Sequence, residues 1–155
     1  MDTLAAYSFT KQTDPTKSAR VYGKDLRISP KHATEISREI RGMKLEAAKL
    51  FMEEVMEKKR PVAFKRHNRK VGHRHGLVGW DAGRYPVKAS SHFLKLLKEL
   101  QANAEYKGLD VDRLRIIHAA SYRSRVIPGF VPRAYGRGTP YNQVLTNIEL
   151  VVEER

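Results

Sequence analysis

The chain contains no cysteine. Structural disulfides, cysteine-ligated zinc and thiol nucleophiles are thereby excluded. No apolar run approaches the roughly 18 residues a membrane span needs, so no membrane insertion is expected. The opening residues, MDTLAAYSFTKQTD, carry acids and polar groups where a signal peptide needs a basic and then an apolar run. The expected location is the cytoplasm. Phosphate-binding P-loop, G-x-S-x-G and H-E-x-x-H patterns are all missing. No nucleophile stands beside a base in a recognisable arrangement, so the chain does not read as an enzyme. Acid is scarce and unevenly so. Between Arg113 and Ile148 there is none, and between Arg60 and Lys98 there is only Asp81.

What is present is positive charge. Thirty Lys and Arg face seventeen Asp and Glu, for a net charge of +13 over 155 residues. A small domain with that excess repels itself unless a polyanion neutralises it. Nucleic acid is the commonest such partner, and an anionic membrane surface is the alternative. Ten Lys and Arg lie between Arg60 and Lys98. The six basic residues from Arg113 to Ile148 are all arginine. Arginine offers a planar fork for phosphate and a flat face for bases, which lysine lacks. Most acids lie between Glu35 and Glu57 or after Glu149, so ordinary mixed-charge surfaces are kept apart from the basic ones.

Along the chain, residues 18–29 can hold a short strand on each side of Gly23. Ser29-Pro30 is a helix start, with serine as N-cap and proline at the first helical position. Ala33, Ile36, Ile40 and Met43 follow at helical spacing, and Gly42 suits a stop. A second helix is expected from about Lys44 to Lys59, with Leu45, Ala48, Phe51, Met52 and Val55 as its apolar stripe. Pro61 ends it. Residues 61–86 carry six Lys and Arg, four glycines and no sustained period, which reads as an irregular basic loop. A third helix is expected from about Val87 to Lys107, with Gly108 at its C′ position.

LRIIHAA (114–120) and VLTNIELVV (144–152) read as strands. In the second, Ile148, Leu150 and Val152 alternate with Asn147, Glu149 and Glu153, which predicts one buried and one wet face. Between the strands lies SYRSRVIPGFVPRAYGRGTPYNQ, residues 121–143. A hairpin turn needs about two to five residues; loops as long as this one are usually functional or disordered. The whole reads as one α+β domain, residues 1–155: three helices packed on a small antiparallel sheet, with a long β-hairpin, 121–143, protruding from it.

Two groups of residues carry the candidate chemistry. In the basic loop, Lys65, Arg66, Arg69, Lys70, Arg74 and Arg84 are candidates for RNA contact. His67, His73 and His75 lie among them. Zinc needs convergent ligands with support behind them, and cationic neighbours oppose it, so these histidines read as nucleic-acid contacts and no metal is expected. Asp110 and Asp112 read as turn and capping residues. In the arm, tyrosines can stack on unpaired bases and arginines can pair with phosphates. No cofactor is implied. A free architectural nucleic-acid binder is the alternative; a membrane-surface module is disfavoured because the basic regions are not laid on an amphipathic helix.

Several blocks, taken together, are specific. DPTKSAR (14–20), LRISPKHATEISREIRGM (26–43), GRYPVKASSHFLKLL (83–97), NAEYKGLDVDRL (103–114) and RAYGRGTPY (133–141) resemble, in order and spacing, the large-subunit ribosomal protein family numbered twenty-two in the universal scheme, in its archaeal and eukaryotic form. The resemblance covers nearly the whole chain. It implies a small α+β globule on large-subunit rRNA near the outer mouth of the exit tunnel. It also implies a hairpin reaching inward to line the tunnel beside the nascent polypeptide, with neighbouring ribosomal proteins as further partners. Carried over by position, Arg123, Arg125, Arg133, Tyr135, Arg137 and Tyr141 would contact rRNA. The uncharged stretch 126–132 is expected at the tip, with Ile127, Pro128, Gly129 and Phe130 facing the tunnel.

Overall fold

The computed structural model describes residue 9 and residues 13–155. The N-terminal strand β1 spans Ser18–Leu26. It is one strand rather than two, bent by a bulge between Gly23 and Leu26 where Asp25 adopts φ +52. Gly23 lets the chain pass close to α3, where a Cβ would lie 2.9 Å from the methyl ends of Leu26 and Leu96 and those side chains would have to shift. Helix α1 follows over Pro30–Ile40. Pro30 takes the first helical position as expected, but the Ser29 side chain makes no capping bond. Gly42, at φ +88, turns the chain away after the helix. Helix α2 spans Leu45–Met56 and α3 spans Val87–Tyr106. Gly108, at φ +74, closes α3, and the Leu109 N–H returns to the Ala104 carbonyl at 3.1 Å. A single 3-10 turn, Val111–Arg113, leads into the second long strand. Asp110 caps that turn by accepting from the Asp112 N–H at 3.1 Å, the role expected of it.

The sheet has three antiparallel strands. Between α2 and α3 run two-residue strands β2 (Val62–Ala63) and β3 (Gly83–Arg84). Strand β4 (Leu114–Ile127), the short β5 (Phe130–Pro132) and β6 (Gly138–Pro140), and β7 (Gln143–Glu154) complete the chain. The sheet order is β1-β7-β4. The helices cover one face. Ile36, Ile40, Phe51, Met52, Phe93, Leu97 and Leu100 pack there with Ala19, Val21, Ile116, Ile148, Leu150 and Val152 in one buried cluster. Each fully buried aliphatic or aromatic side chain stabilises by about 1.5–3 kcal/mol.

The alternation in β7 gives an incomplete picture. Glu149, assigned to the wet face, is as buried as Ile148 and Leu150, and so is Val151 on the same face. The reason is that this second face is covered too, by Tyr122 and His118 of β4 and by Phe9. Tyr122 donates to Glu149 at 3.2 Å, and so does the Phe9 N–H; the Phe9 ring lies 4.6 Å from that of His118. A solvated carboxylate was the simpler expectation, and cross-strand neighbours override it.

β4 and β7 are longer than the sequence suggested. They remain paired out to Ile127 opposite Gln143. Beyond that, Phe130–Pro132 pairs with Gly138–Pro140. From Arg125 to Asn142 every residue is exposed except half-buried Gly129.

Candidate nucleic-acid interface

The basic segment 61–86 is more ordered than an irregular loop. Phe64 is buried, and its N–H donates to the Ala82 carbonyl at 2.9 Å. Trp80 Nε1 donates to the Phe64 carbonyl at 3.0 Å, and Arg74 N to the Asp81 carbonyl at 2.8 Å. The main brace comes from α1. Glu35 is fully buried, and its two carboxylate oxygens accept the successive backbone N–H groups of Lys65, Arg66 and His67 at 3.1, 2.9 and 2.8 Å. Hydrogen bonds to a charged acceptor contribute about 1.5–3 kcal/mol each. A carboxylate that reads as one more helix charge thus fixes the backbone from which the loop's cations project.

Three depressions in the surface meet at His32. One, of about 640 Å³, lies between the starts of α1 and α3 and the base of the hairpin, with Arg27 and Lys88 on its walls. The second, about 290 Å³, carries Lys31, Arg66, Arg69 and Arg84. The third, about 680 Å³, carries Lys58, Arg74 and again Arg84. None of the residues lining the three is an acid. Arg84 lies 5.9 Å from the centre of the Phe64 ring, and Arg74 5.6 Å from that of Tyr85. Burial, and then the Arg84 charge, hold the His32 pKa below the ordinary 6.5. At neutral pH His32 is therefore an uncharged donor and acceptor at the centre of a cationic trough.

Of the basic-loop residues expected to touch RNA, Arg66, Arg69, Arg74 and Arg84 line this trough, while Lys65 and Lys70 are exposed beside it. The sequence reading missed Arg27, Lys31, Lys58, Lys88 and His32. A signal for two of them was available. Lys31 and Lys88 occupy the second position of α1 and α3, and neither helix has an acid in its first turn. A cation there opposes the helix dipole, by about 0.3–1 kcal/mol, and is better accommodated where an anion binds. His67 and His73 line different depressions. Among the described residues no group of three His, Asp or Glu side chains could hold a metal ion, and no helix is long and apolar enough to cross a membrane.

The hairpin leaves the globule through a clasp. The bulged Asp25 donates its N–H to Asn147 Oδ1 at 2.8 Å on β7. Its carboxylate reaches over to β4, accepting from the Ser124 hydroxyl and from Arg125 Nη2, the latter at 2.8 Å. The Ser124 bond first, then Arg125, hold the Asp25 pKa below the ordinary 3.8. Arg27 donates twice to Gln143 Oε1, at 2.9 and 2.5 Å. Arg125, expected on RNA, is thus also engaged within the protein.

The apex is not where the uncharged stretch suggested. Tyr135 and Gly136 both have positive φ, +57 and +66, and Arg137 N donates to the Ala134 carbonyl. Arg133 stands opposite Arg137, and the three residues between them, 134–136, make a short turn of a length common in hairpins. The apex is therefore RAYGR, with Arg133 N bonded to the Arg137 carbonyl at 2.8 Å and Tyr135 almost fully exposed. Ile127, Pro128, Gly129 and Phe130 lie lower, on the shaft. Pro128-Gly129 looks like a turn, but its peptide is spent on a cross-ribbon bond: Tyr141 N donates to the Gly129 carbonyl at 2.6 Å. Arg123 pairs opposite Thr146 near the base, and Tyr141 borders the depression between the starts of α1 and α3.

Comparison with known proteins places the sequence in a family. The profile of the family described as Ribosomal protein L22p/L17e matches residues 21–153. The chain belongs to that family. Among its relatives is a protein of Archaeoglobus fulgidus named "Large ribosomal subunit protein uL22", 54% identical over 94% of each chain. Proteins of the same name from Methanocella arvoryzae and Methanocaldococcus jannaschii are each 50% identical, over 97% and 92% of this chain and 99% and 92% of their own. These relatives are named as ribosomal proteins, in a family not known for catalysis.

Proposed function

We propose that the chain is a structural protein of the large ribosomal subunit that binds its rRNA. The globule lies near the mouth of the exit tunnel and the hairpin lines the nascent-chain path. The observation that carries this reading is the acid-free trough around His32, continuous at Tyr141 and Gln143 with the exposed, acid-free hairpin. The whole chain acts as one domain, 1–155, with 121–143 as its arm. Lys65, Arg66, Arg69, Lys70, Arg74 and Arg84 meet phosphates from the globule. From the arm, Arg123, Arg125, Arg133 and Arg137 contact rRNA phosphates, and Tyr135 and Tyr141 offer rings to its bases. Ile127, Pro128, Gly129 and Phe130 form an uncharged flank toward the nascent polypeptide, with the charged apex anchored beyond them. Neighbouring ribosomal proteins complete the surroundings, in the cytoplasm.

Salt dependence tests the RNA half of this reading. If roughly six phosphates are neutralised, affinity for deproteinised large-subunit rRNA falls about a thousandfold between about 50 and 200 mM salt; a flat response sinks it. A photoprobe at Gly129 should crosslink a stalled nascent chain better than one at Ile148, and equal yields would remove the hairpin from the tunnel. Loss of the protein from subunits washed in high salt would favour a free nucleic-acid-binding module instead.

A further inference from the structure

We infer that the groove at the hairpin base holds a single unpaired nucleotide of the bound RNA. This rests on the rRNA-binding reading and goes further, by naming what one depression takes. The groove measures about 640 Å³, within the roughly 300–1,000 Å³ typical of small-ligand sites. Its lining mixes two chemistries. Val87, Val144, Tyr85 and Tyr141 offer flat and apolar surface, while Arg27 and Lys88 supply positive charge and no acid competes. A planar base joined to a phosphate needs that combination. A duplex backbone would use only the cations and leave the apolar wall bare.

Two further details favour a nucleotide. Tyr141 is 64% exposed, so its ring is not consumed by the core, and its backbone is held by the Gly129 carbonyl. It is a stacking surface on a fixed mount. The Ser29 hydroxyl, on the same wall, makes no capping bond and can meet the edge of a base. Sequence-selective RNA recognition works largely through such splayed-out bases. The groove walls come from both the globule and the hairpin, tied across by Arg27 and Gln143. One lodged nucleotide therefore touches both parts and fixes the hairpin's bearing relative to the RNA under the globule.

The test uses the full chain. In NMR titrations, adenosine or uridine 5′-monophosphate should shift the amides of Val87, Lys88 and Val144 saturably. Inorganic phosphate at the same concentration should not. Shifts that phosphate reproduces, or that spread equally to Arg133 and Arg137, overturn the inference. Val144→Trp, which fills the groove, and Tyr141→Ala, outside the core, should each weaken rRNA binding about tenfold, in the range for losing one base–aromatic stack. Tyr141→Ala, which removes a stacking surface and no charge, should leave the salt slope unchanged, whereas Val144→Trp, which expels the phosphate as well, should lower it by about one phosphate's worth. If both variants bind as tightly as the parent, the nucleotide site is wrong while the rRNA reading stands. If the parent shows no salt-dependent rRNA binding, the broader reading falls. A photoprobe at Val144 that crosslinks a neighbouring protein instead of RNA in whole subunits also overturns the inference.

Discussion

The basic lobe at 61–86 and the hairpin are both poor in acid, and each is organised by a carboxylate lent from elsewhere in the chain. The two carboxylates differ in kind. Glu35 is fully buried and spends both oxygens on three backbone N–H groups. Asp25 sits near the surface, and its oxygens meet a hydroxyl and a guanidinium. One holds a backbone shape; the other holds side chains at a joint. A region that must present cations in a fixed array is anchored through the main chain. A region that must reach away from the body is gripped only at its root.

The sharpest way to break the comparison is Glu35→Ala. Three backbone donors lose their acceptor, and stability should fall by about 3 kcal/mol, or roughly 10 °C in Tm. Urea unfolding measures it. Glu35→Gln, which keeps one acceptor oxygen, should lose less. An unchanged Tm for Glu35→Ala would mean that the lobe finds its shape without the brace.

Smaller and more local is Gly129→Ala. A Cβ there would stand 2.7 Å from the Tyr141 carbonyl oxygen, backbone that cannot swing aside. Overpacking of this kind costs about 1–3 kcal/mol, here confined to the hairpin. Amide exchange at Tyr141 should accelerate while the exchange of Leu97 stays fixed. Replacing residues 128–142 by Asn-Gly joins Ile127 to Gln143, which already face each other. Stability should change by less than about 1 kcal/mol, since exposed segments contribute little to the core. Loss of the cooperative thermal transition would mean that the hairpin belongs to the globule.

The smallest effect is expected from the clasp. Asp25 has a depressed pKa in the folded state, so its contribution is present above the ordinary value of 3.8. It is lost as pH falls through the lower folded value. Protection of the Arg125 and Thr146 amides, relative to their intrinsic exchange at each pH, should therefore fall below about pH 4 in the parent. Asp25→Asn should show that lower protection at neutral pH, with global melting unchanged. A pH-independent pattern would show that the bulge alone holds the joint.

Much of this was legible from the residues. Pro30 and Gly108 mark helix ends because proline and glycine act through backbone geometry that no tertiary contact needs to supply; α2, expected to run on to Pro61, stops at Met56, where Lys58 at φ +61 turns the chain first. Glu35 was hidden, since nothing in PKHATEISREI distinguishes a carboxylate that will be buried from one facing water. The buried second face of β7 was hidden too: Glu149 and Val151 are covered by residues more than a hundred positions away as well as by near neighbours. The apex was misread because the tip was placed at the uncharged stretch 126–132, and lack of charge does not decide where a ribbon turns. The chain instead turns at Tyr135-Gly136, with a tyrosine in a conformation bulky residues rarely adopt.

The strand order also carries a consequence for the order of events during synthesis. β7 lies between β1 and β4, yet of the three it leaves the ribosome last. Until it emerges, the two outer strands have no partner and the helices have no complete surface to close upon. Ser18 must wait for Glu153, its opposite number, so the decisive pairings span most of the chain, and such pairings form slowly. Until β7 is free, a newly made copy is therefore an unclosed, strongly cationic polymer.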